Sequence, residues 1–410
     1  MSFFLGLDFG TSGARACVLD EAGETVFESR VAYADAASPK AWRDALFGLL
    51  DRLPPEIRAR LSAIAIAGTS GTLLATDAAF EPDGPALLYN DARAAKEAKA
   101  IDNPRYGPTS GLAKRLWLAA HHPDAAFCFH QADWLAALLT GKAGITDYHN
   151  ALKSGYDVEK LAWPDWVGRL PGAHWQQKVL TPGEAIGPPA PATVRRFALN
   201  PACIVRAGTT DSIAAFIAAG AHEPGDAVTS LGTTLVLKLL SETRVDDAAS
   251  GVYSHRFGRL WLAGGASNSG GGVLKQYFGE TDLARLSAGI NPERPGALDY
   301  YPLPAPGERF PINDPQLPPR LSPRPQNDAD FLQGLLEGMA RIEALGYRRL
   351  MELGASPVKR VLTAGGGAQN PAWWRIRRRV LQLPVAVATH AEAAHGAALL
   401  AHKGPVLFPV

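Results

Sequence analysis

The sequence predicts an α/β protein made of two domains of related fold that face one another. Three observations lead there. At 410 residues the chain is longer than one hydrophobic core ordinarily serves, so two domains are the natural expectation. Short apolar strand patterns alternate with helical ones along it. A strand–turn–strand near the start, with Asp8-Phe9-Gly10-Thr11-Ser12 at its turn, is echoed past the midpoint by Ser230-Leu231-Gly232-Thr233-Thr234, as domain duplication would produce. The stretch Gly220 to Gly225 marks the boundary, dividing the chain into residues 1–222 and 223–410.

Apolar residues make up 47% and charged residues 20%, with a formal net charge of +1. That balance suits a globular protein and lacks the basic field of a nucleic-acid binder. The three cysteines, Cys17, Cys128 and Cys203, have no metal-ligand spacing, and their odd number argues against a disulfide framework. The chain runs from Met1-Ser2 directly into a strand and carries no apolar run long enough to span a bilayer. The expectation is a cytoplasmic protein with a small-molecule substrate, no nucleic-acid or membrane partner, and a monomeric or homodimeric state.

In order, Phe3 to Leu7 leads a strand into the Gly10–Gly13 turn, and alternation resumes through Ala16 and Val18. Asp8 ends the first strand. Glycines permit close approach and a nest of backbone N–H groups attracts anions, so this turn can wrap phosphate oxygens while Asp8 holds a magnesium ion. The same residues are also ordinary turn formers. Glu24 to Ala32 reads as a third strand and Pro39 to Leu50 as a helix with Trp42 and Leu46 inward. Leu61 to Gly68 is a buried strand, and the Thr69-Ser70-Gly71-Thr72 turn after it fits a small polar ligand or plain turn chemistry. Tyr89-Asn90-Asp91-Ala92-Arg93 reads as a helix start capped by Asn90 or Asp91. Helices follow around Leu112–His121 and Gln131–Leu139, the second closed by Gly141. Residues Ile145 to Trp166 read as irregular.

Ile204 to Ser212 reads as strand, glycine turn and helix start, with Asp211 in the first helical turn as a capping residue or a general base. The loop Gly264–Gly272 opens a helix and offers a second anion seat. Asn291 to Gln326 is Pro-rich and predicts a surface excursion. A long helix then runs from Asp328 to about Leu353, with Gly334, Gly338 and Gly346 marking close approach to another backbone. Val361–Pro371 is strand, triple-glycine loop and helix start, where a purine can approach the backbone beside Trp373 or Trp374, or both tryptophans belong to the core. Arg375, Arg377, Arg378 and Arg379 read as a solvated helix face. Walker and Rossmann glycine patterns, a zinc cluster and a serine-nucleophile elbow are all missing from the sequence. Two carboxylates after strands, two phosphate-type turns and glycine loops are the equipment of nucleotide-dependent phosphoryl transfer.

Six of these segments, taken in order, resemble the FGGY carbohydrate kinases. They are Gly6-Leu7-Asp8-Phe9-Gly10-Thr11-Ser12, Tyr89-Asn90-Asp91-Ala92-Arg93, Leu139-Thr140-Gly141, Gly208-Thr209-Thr210-Asp211, Ser230-Leu231-Gly232-Thr233-Thr234 and Ala364-Gly365-Gly366-Gly367-Ala368-Gln369-Asn370. The resemblance implies two actin-like, ribonuclease-H-like ATPase domains with a cleft between them, sugar and base on the first and nucleotide on the second, with a last helix at about 392–410 packing back on the first. It implies ATP and Mg2+ as cofactors and Asp211 as the base that takes the proton from a terminal sugar hydroxyl. By the same carry-over Asp8 positions magnesium and the transferring phosphoryl group, and Thr11, Gly232, Thr233 and Thr234 hold phosphates. Gly366, Gly367, Asn370 and Trp373 border the adenosine, while Ser12, Gly13 and Ser70 contact the sugar. The opening segment is most similar to the short branch of D-ribulose kinases and xylulose-kinase-like proteins. The Thr69–Thr72 turn lacks the Gln or Met-Gln-His residues of larger pentulose and glycerol kinases, which favours D-ribulose over D-xylulose. An actin- or chaperone-like ATPase with no sugar substrate is the alternative of another class.

Overall fold

A computed structural model describes residues 1–101 and 103–409. The chain divides into two compact units: Met1–Ala218 with Glu392–Phe408, and Ala219–Ala391 with Pro409.

The first unit is organised by a mixed sheet. Its strands run in the order Thr25–Ala32, Gly13–Leu19, Phe3–Phe9, Leu61–Gly68, Ile204–Arg206 and Ala185–Gly187, and the two-residue strand Thr209–Thr210 extends the pairing along Leu61–Gly68. Side chains alternate across a strand. Leu5, Leu7 and Phe9 therefore enter the core with Trp42, Leu46 and Trp134, and Gly6 and Asp8 point to the opposite face. On that face lies the closing helix Ala393–Lys403, whose backbone meets Gly6 so closely that an added Cβ would sit 2.2 Å from Ala394 O. The register pairs Asp8 with Ala67 and Ala67 with Thr209, so these three residues share the face.

The second unit repeats the arrangement. Its sheet runs Tyr253–Phe257, Leu260–Ser267, Leu235–Ser241, Asp226–Leu231, Arg360–Ala364 and Val385–Val387. In both units a first strand pairs antiparallel with the second and parallel with a strand that arrives much later.

Several local expectations change. The helix after Tyr89 begins at Ala95, because Asp91 bonds Arg93 through its backbone N–H at 3.0 Å and its guanidinium at 2.9 Å instead of capping a helix. A short helix, Tyr148–Lys153, lies inside the stretch read as irregular. The Pro-rich segment is anchored, not merely superficial: Tyr300 and Phe310 are buried, Tyr300 against Gly334 and Phe310 between Gly265 and Gly346. The glycines of the long helix Asp328–Glu352 accommodate this strap. Arg377 is fully buried, contrary to a solvated face. It bonds Glu343 at 2.6 and 2.7 Å and Thr363 at 2.6 Å, while Glu343 also accepts from Thr229 at 2.5 Å. Each member of that network is bonded, which a buried ion pair requires.

Asp226 ties the central strands of the second unit together. Its carboxylate takes both arms of Arg360 at 2.7 and 2.8 Å and the backbone N–H groups of His222 and Glu223. Burial pushes the carboxyl up, but these hydrogen bonds outweigh it and hold it at about 2. A depressed carboxyl contributes stability that is present above the unfolded value and lost as pH falls through the folded one. Asp226→Asn is therefore expected to cost the second unit about 2 kcal/mol at pH 7, with the difference from wild type narrowing between about pH 4 and pH 2. Urea unfolding across that range checks it.

Candidate active site

In the first unit the opening hairpin presents Asp8 at its strand end, 4% exposed, directly across from Arg15. Asp8 Oδ2 lies 3.8 Å from Arg15 Nη1, which also holds Glu392 at 3.0 Å. Asp8 Oδ1 has no hydrogen-bond partner among the described residues. Burial, then the nearby charge of Asp211, raise the Asp8 carboxyl to about 7, with Arg15 pulling the other way. A buried carboxylate in this state gains from a cation, and the chemistry of an orphaned oxygen beside a second acid fits magnesium. Among the described residues no group of three or more His, Cys, Asp or Glu gathers to hold a metal ion, so at this site the two carboxylates would share the ion with phosphate oxygens and water.

Asp211 begins the helix Asp211–Ala218, half-buried, with Oδ1 accepting from Ser212 N at 2.6 Å. The two carboxylates come together because their strands flank Leu61–Gly68 and end at the same level. Around the turn between the first two strands, Gly10 N donates to Gly13 O at 3.0 Å and Tyr33 donates its hydroxyl proton to Gly10 O. Thr11 and Ser12 are exposed at the tip, and Gly13 sits where a Cβ would meet Val31 O at 2.4 Å.

The Thr69–Thr72 turn is more internal than its hydroxyl content suggests. Thr69 N and Oγ1 both donate to Gln131 Oε1, and the Thr69 and Thr72 hydroxyls bond each other at 2.7 Å. Ser70 is the half-buried hydroxyl of the turn. Sequence reasoning missed Lys114, a buried lysine whose Nζ donates to Gly71 O at 3.0 Å and Leu88 O at 2.5 Å. Burial lowers its pKa to about 8 against the opposing charge of Asp91. A lysine between Leu112 and Leu116 on a buried helix was the available signal. Asp91 and Arg93 form an ion pair at 2.8 Å that braces the neighbouring turn.

In the second unit a cavity of about 730 Å³ is lined by Gly232, Thr233, Gly366, Gly367, Asn370 and Trp373, together with Leu274, Leu283, Ser287 and Ala288. Thr234 lies outside this lining. That size suits a nucleoside-sized ligand. Trp373, 1% exposed, lies beneath Gly367 as floor and not as a free-standing platform. Trp374 turns its indole N–H to Val385 O. The helix Glu280–Gly289, not foreseen in the sequence, makes the facing wall, and its Ser287 accepts from Asn370 Nδ2 at 2.8 Å. The glycine loop before the helix Gly271–Tyr277, expected as an anion or nucleotide seat, contributes Gly271 to the cavity wall and also braces the turn beside it. Gly271 N and Gly272 N donate to Gly232 O and Thr233 O at 2.9 Å each, so these amides already have partners in the 232–234 turn.

Residues 227–404 match the model of the FGGY family of carbohydrate kinases, C-terminal domain. The chain is 29% identical over 424 residues to a xylulose kinase of Streptomyces coelicolor, covering 93% of this chain and 84% of that protein. It is 22% identical over 434 residues to a gluconokinase of Bacillus licheniformis, covering 94% and 84%. A crystal structure described as a xyloylose kinase from Brucella ovis superposes with a TM-score of 0.85 at 24% identity, covering 98% of this chain and 90% of that one. The fold is the two-domain, actin-like ATPase fold. The class so defined is a carbohydrate kinase, a phosphotransferase that acts on sugars. The matched residues take in most of the second unit and the closing helix of the first.

Ala288 lines the cavity and is exposed at its mouth. Ala288→Trp is expected to weaken ADP binding at least about tenfold, or 1.4 kcal/mol, with the melting temperature unchanged. Titration calorimetry decides it: unaltered ADP affinity would mean that the nucleotide does not enter here.

Proposed function

We propose that the protein transfers the γ-phosphoryl group of ATP to the terminal hydroxyl of a ketopentose. The observation that carries this reading is the pairing of Asp8 and Asp211 in the first unit, one buried with an orphaned oxygen and the other half-exposed at a helix start. Asp211 is the general base. At the helix N-terminus, with Oδ1 accepting from Ser212 N, its carboxylate would accept a proton from the attacking hydroxyl. Asp8 would hold magnesium, which supplies neutralisation of phosphate charge. Thr11 of the first unit and Gly232, Thr233 and Thr234 of the second hold phosphate oxygens through hydroxyl and backbone N–H groups. Gly366, Gly367 and Asn370 border the adenosine above the Trp373 floor, and Ser12, Gly13 and Ser70 meet the sugar.

The Thr69–Thr72 turn, which lacks the Gln or Met-Gln-His residues of larger pentulose and glycerol kinases, favours D-ribulose as the acceptor. D-xylulose is the second reading, supported by relatives described as xylulose kinases from several bacteria. Both sugars present the same terminal CH₂OH to Asp211, so the chemistry is common to them.

ADP release measured with D-ribulose, D-xylulose, gluconate and no sugar tests the reading. Release is expected to depend on a ketopentose, and sugar-independent release would support an ATPase instead. A positioned base contributes about 10²–10⁴-fold, so Asp211→Asn is expected to lose that much kcat while binding ADP as the wild type does. Full turnover in this variant would remove Asp211 from the mechanism.

A further inference from the structure

A buried polar chain stands behind Asp211 that the proposed chemistry does not use. It begins at Asp147, which caps the helix Tyr148–Lys153. Asp147 accepts from His149 N at 2.8 Å, Asn150 N at 3.1 Å and Asn150 Nδ2 at 2.6 Å. His149 Nδ1 lies 3.8 Å from Asp147 Oδ1 and shares a 2.8 Å hydrogen bond with Thr209 Oγ1. All three side chains are 0% exposed. The imidazole is fixed between the rings of Tyr148 and Phe408, at centroid distances of 4.7 and 5.9 Å. Asp133, packed behind Asp147, has its carboxyl pushed well up by burial and by the Asp147 charge. Burial raises the Asp147 carboxyl as well, to about 6, against the lowering hydrogen bonds from Asn150 and the His149 N–H.

Thr209 is two residues before Asp211. The strand it belongs to has only two residues, paired with Ala67 and Gly68, and Gly208 approaches so closely that a Cβ there would be 2.0 Å from Ile66 O. So short a strand offers few backbone bonds to hold the point where the helix starts, and the Thr209 side chain adds a restraint there. Resting on the reading of Asp211 as the base, we infer that His149 is a positioning residue that sets the Asp211 carboxylate through the Thr209 hydroxyl. Displacement of a catalytic group by about 1 Å can cost about 10²-fold in rate.

The test uses the full chain, with ATP and saturating D-xylulose or D-ribulose, whichever is turned over. Thr209→Val keeps the shape and removes the hydroxyl, and is expected to lower kcat about 10- to 100-fold with KM for ATP and ADP affinity within about twofold. Thr209→Ser keeps the hydroxyl and is expected to stay within about threefold of wild type. His149→Phe keeps the ring contacts and loses Nδ1, and its effect is expected to be no larger when combined with Thr209→Val, since the two act as one unit. Wild-type kcat in Thr209→Val would overturn the inference while leaving the base intact, provided Asp211→Asn is inactive. Activity in Asp211→Asn would instead remove the base reading beneath it. Equal losses in Thr209→Ser and Thr209→Val would also overturn it, because they would reflect packing and not the hydroxyl. Should Thr209→Val fail to fold, His149→Gln against His149→Phe decides by the same criterion, the amide being expected to retain more kcat.

Discussion

The first unit depends on one close approach, the seating of the closing helix against two backbones. A Cβ on Gly6 would lie 2.2 Å from Ala394 O, and one on Gly396 would lie 1.8 Å from Ala214 O. At those points backbone rests on backbone, with the small residues Ala67, Ala214, Ala393 and Ala397 on one side of the helix and Cys17 and Leu19 against Ala394 and Ala398 on the other. Any side chain larger than hydrogen would separate the helix from the opening strand or from the Asp211 helix. Gly6 is two residues before Asp8, and Ala214 is three after Asp211. The packing that closes the fold is thus the packing that sets the two carboxylates against each other, and it brings Glu392 to Arg15 at 3.0 Å. A cluster of like charges is arranged there at the expense of stability, as functional sites tend to be.

The second unit solves a similar problem with polar groups. Glu343 and Arg377 sit between helices and sheet, bonding Thr229 on one strand and Thr363 on its parallel neighbour. Those strands end at Gly232–Thr233 and at the triple glycine, the two loops that line the cavity. The network fixes the relation between these loops, and the Pro-rich strap adds a second hold, with Glu308 accepting from Ser267 Oγ at 2.5 Å and Asn268 N at 2.7 Å.

Periodicity made most of the scaffold legible. The alternation of Leu5, Leu7 and Phe9 marks the core face of the opening strand, and the spacing of Trp42, Leu46 and Leu49 marks a helix. Glycine chemistry made the loops legible, and the glycines of the long helix did announce a close neighbour. What escaped depends on partners remote in sequence. Arg377 falls in a run of charges, and Glu343, 34 residues earlier, together with Thr363 makes it a core residue. The Gly271 and Gly272 amides look available until Gly232 O and Thr233 O take them. The Thr69 and Thr72 hydroxyls suggest a ligand seat until Gln131, 62 residues on, is placed beside Thr69. The helix Glu280–Gly289 has few inward apolar residues, so its pattern is faint although it walls the cavity. Asp8 and Asp211 were legible as chemistry from their strand ends, but the rise of Asp8 to about 7 needs their proximity and burial.

The central claim is that this chain phosphorylates a terminal CH₂OH. The most direct measurement is phosphorus NMR with proton coupling on the product formed from ATP and the ketopentose that stimulates ADP release. The account predicts a new phosphate resonance split by two equivalent or nearly equivalent methylene protons. A resonance split by a single CH proton, or inorganic phosphate as the only new signal, would contradict it.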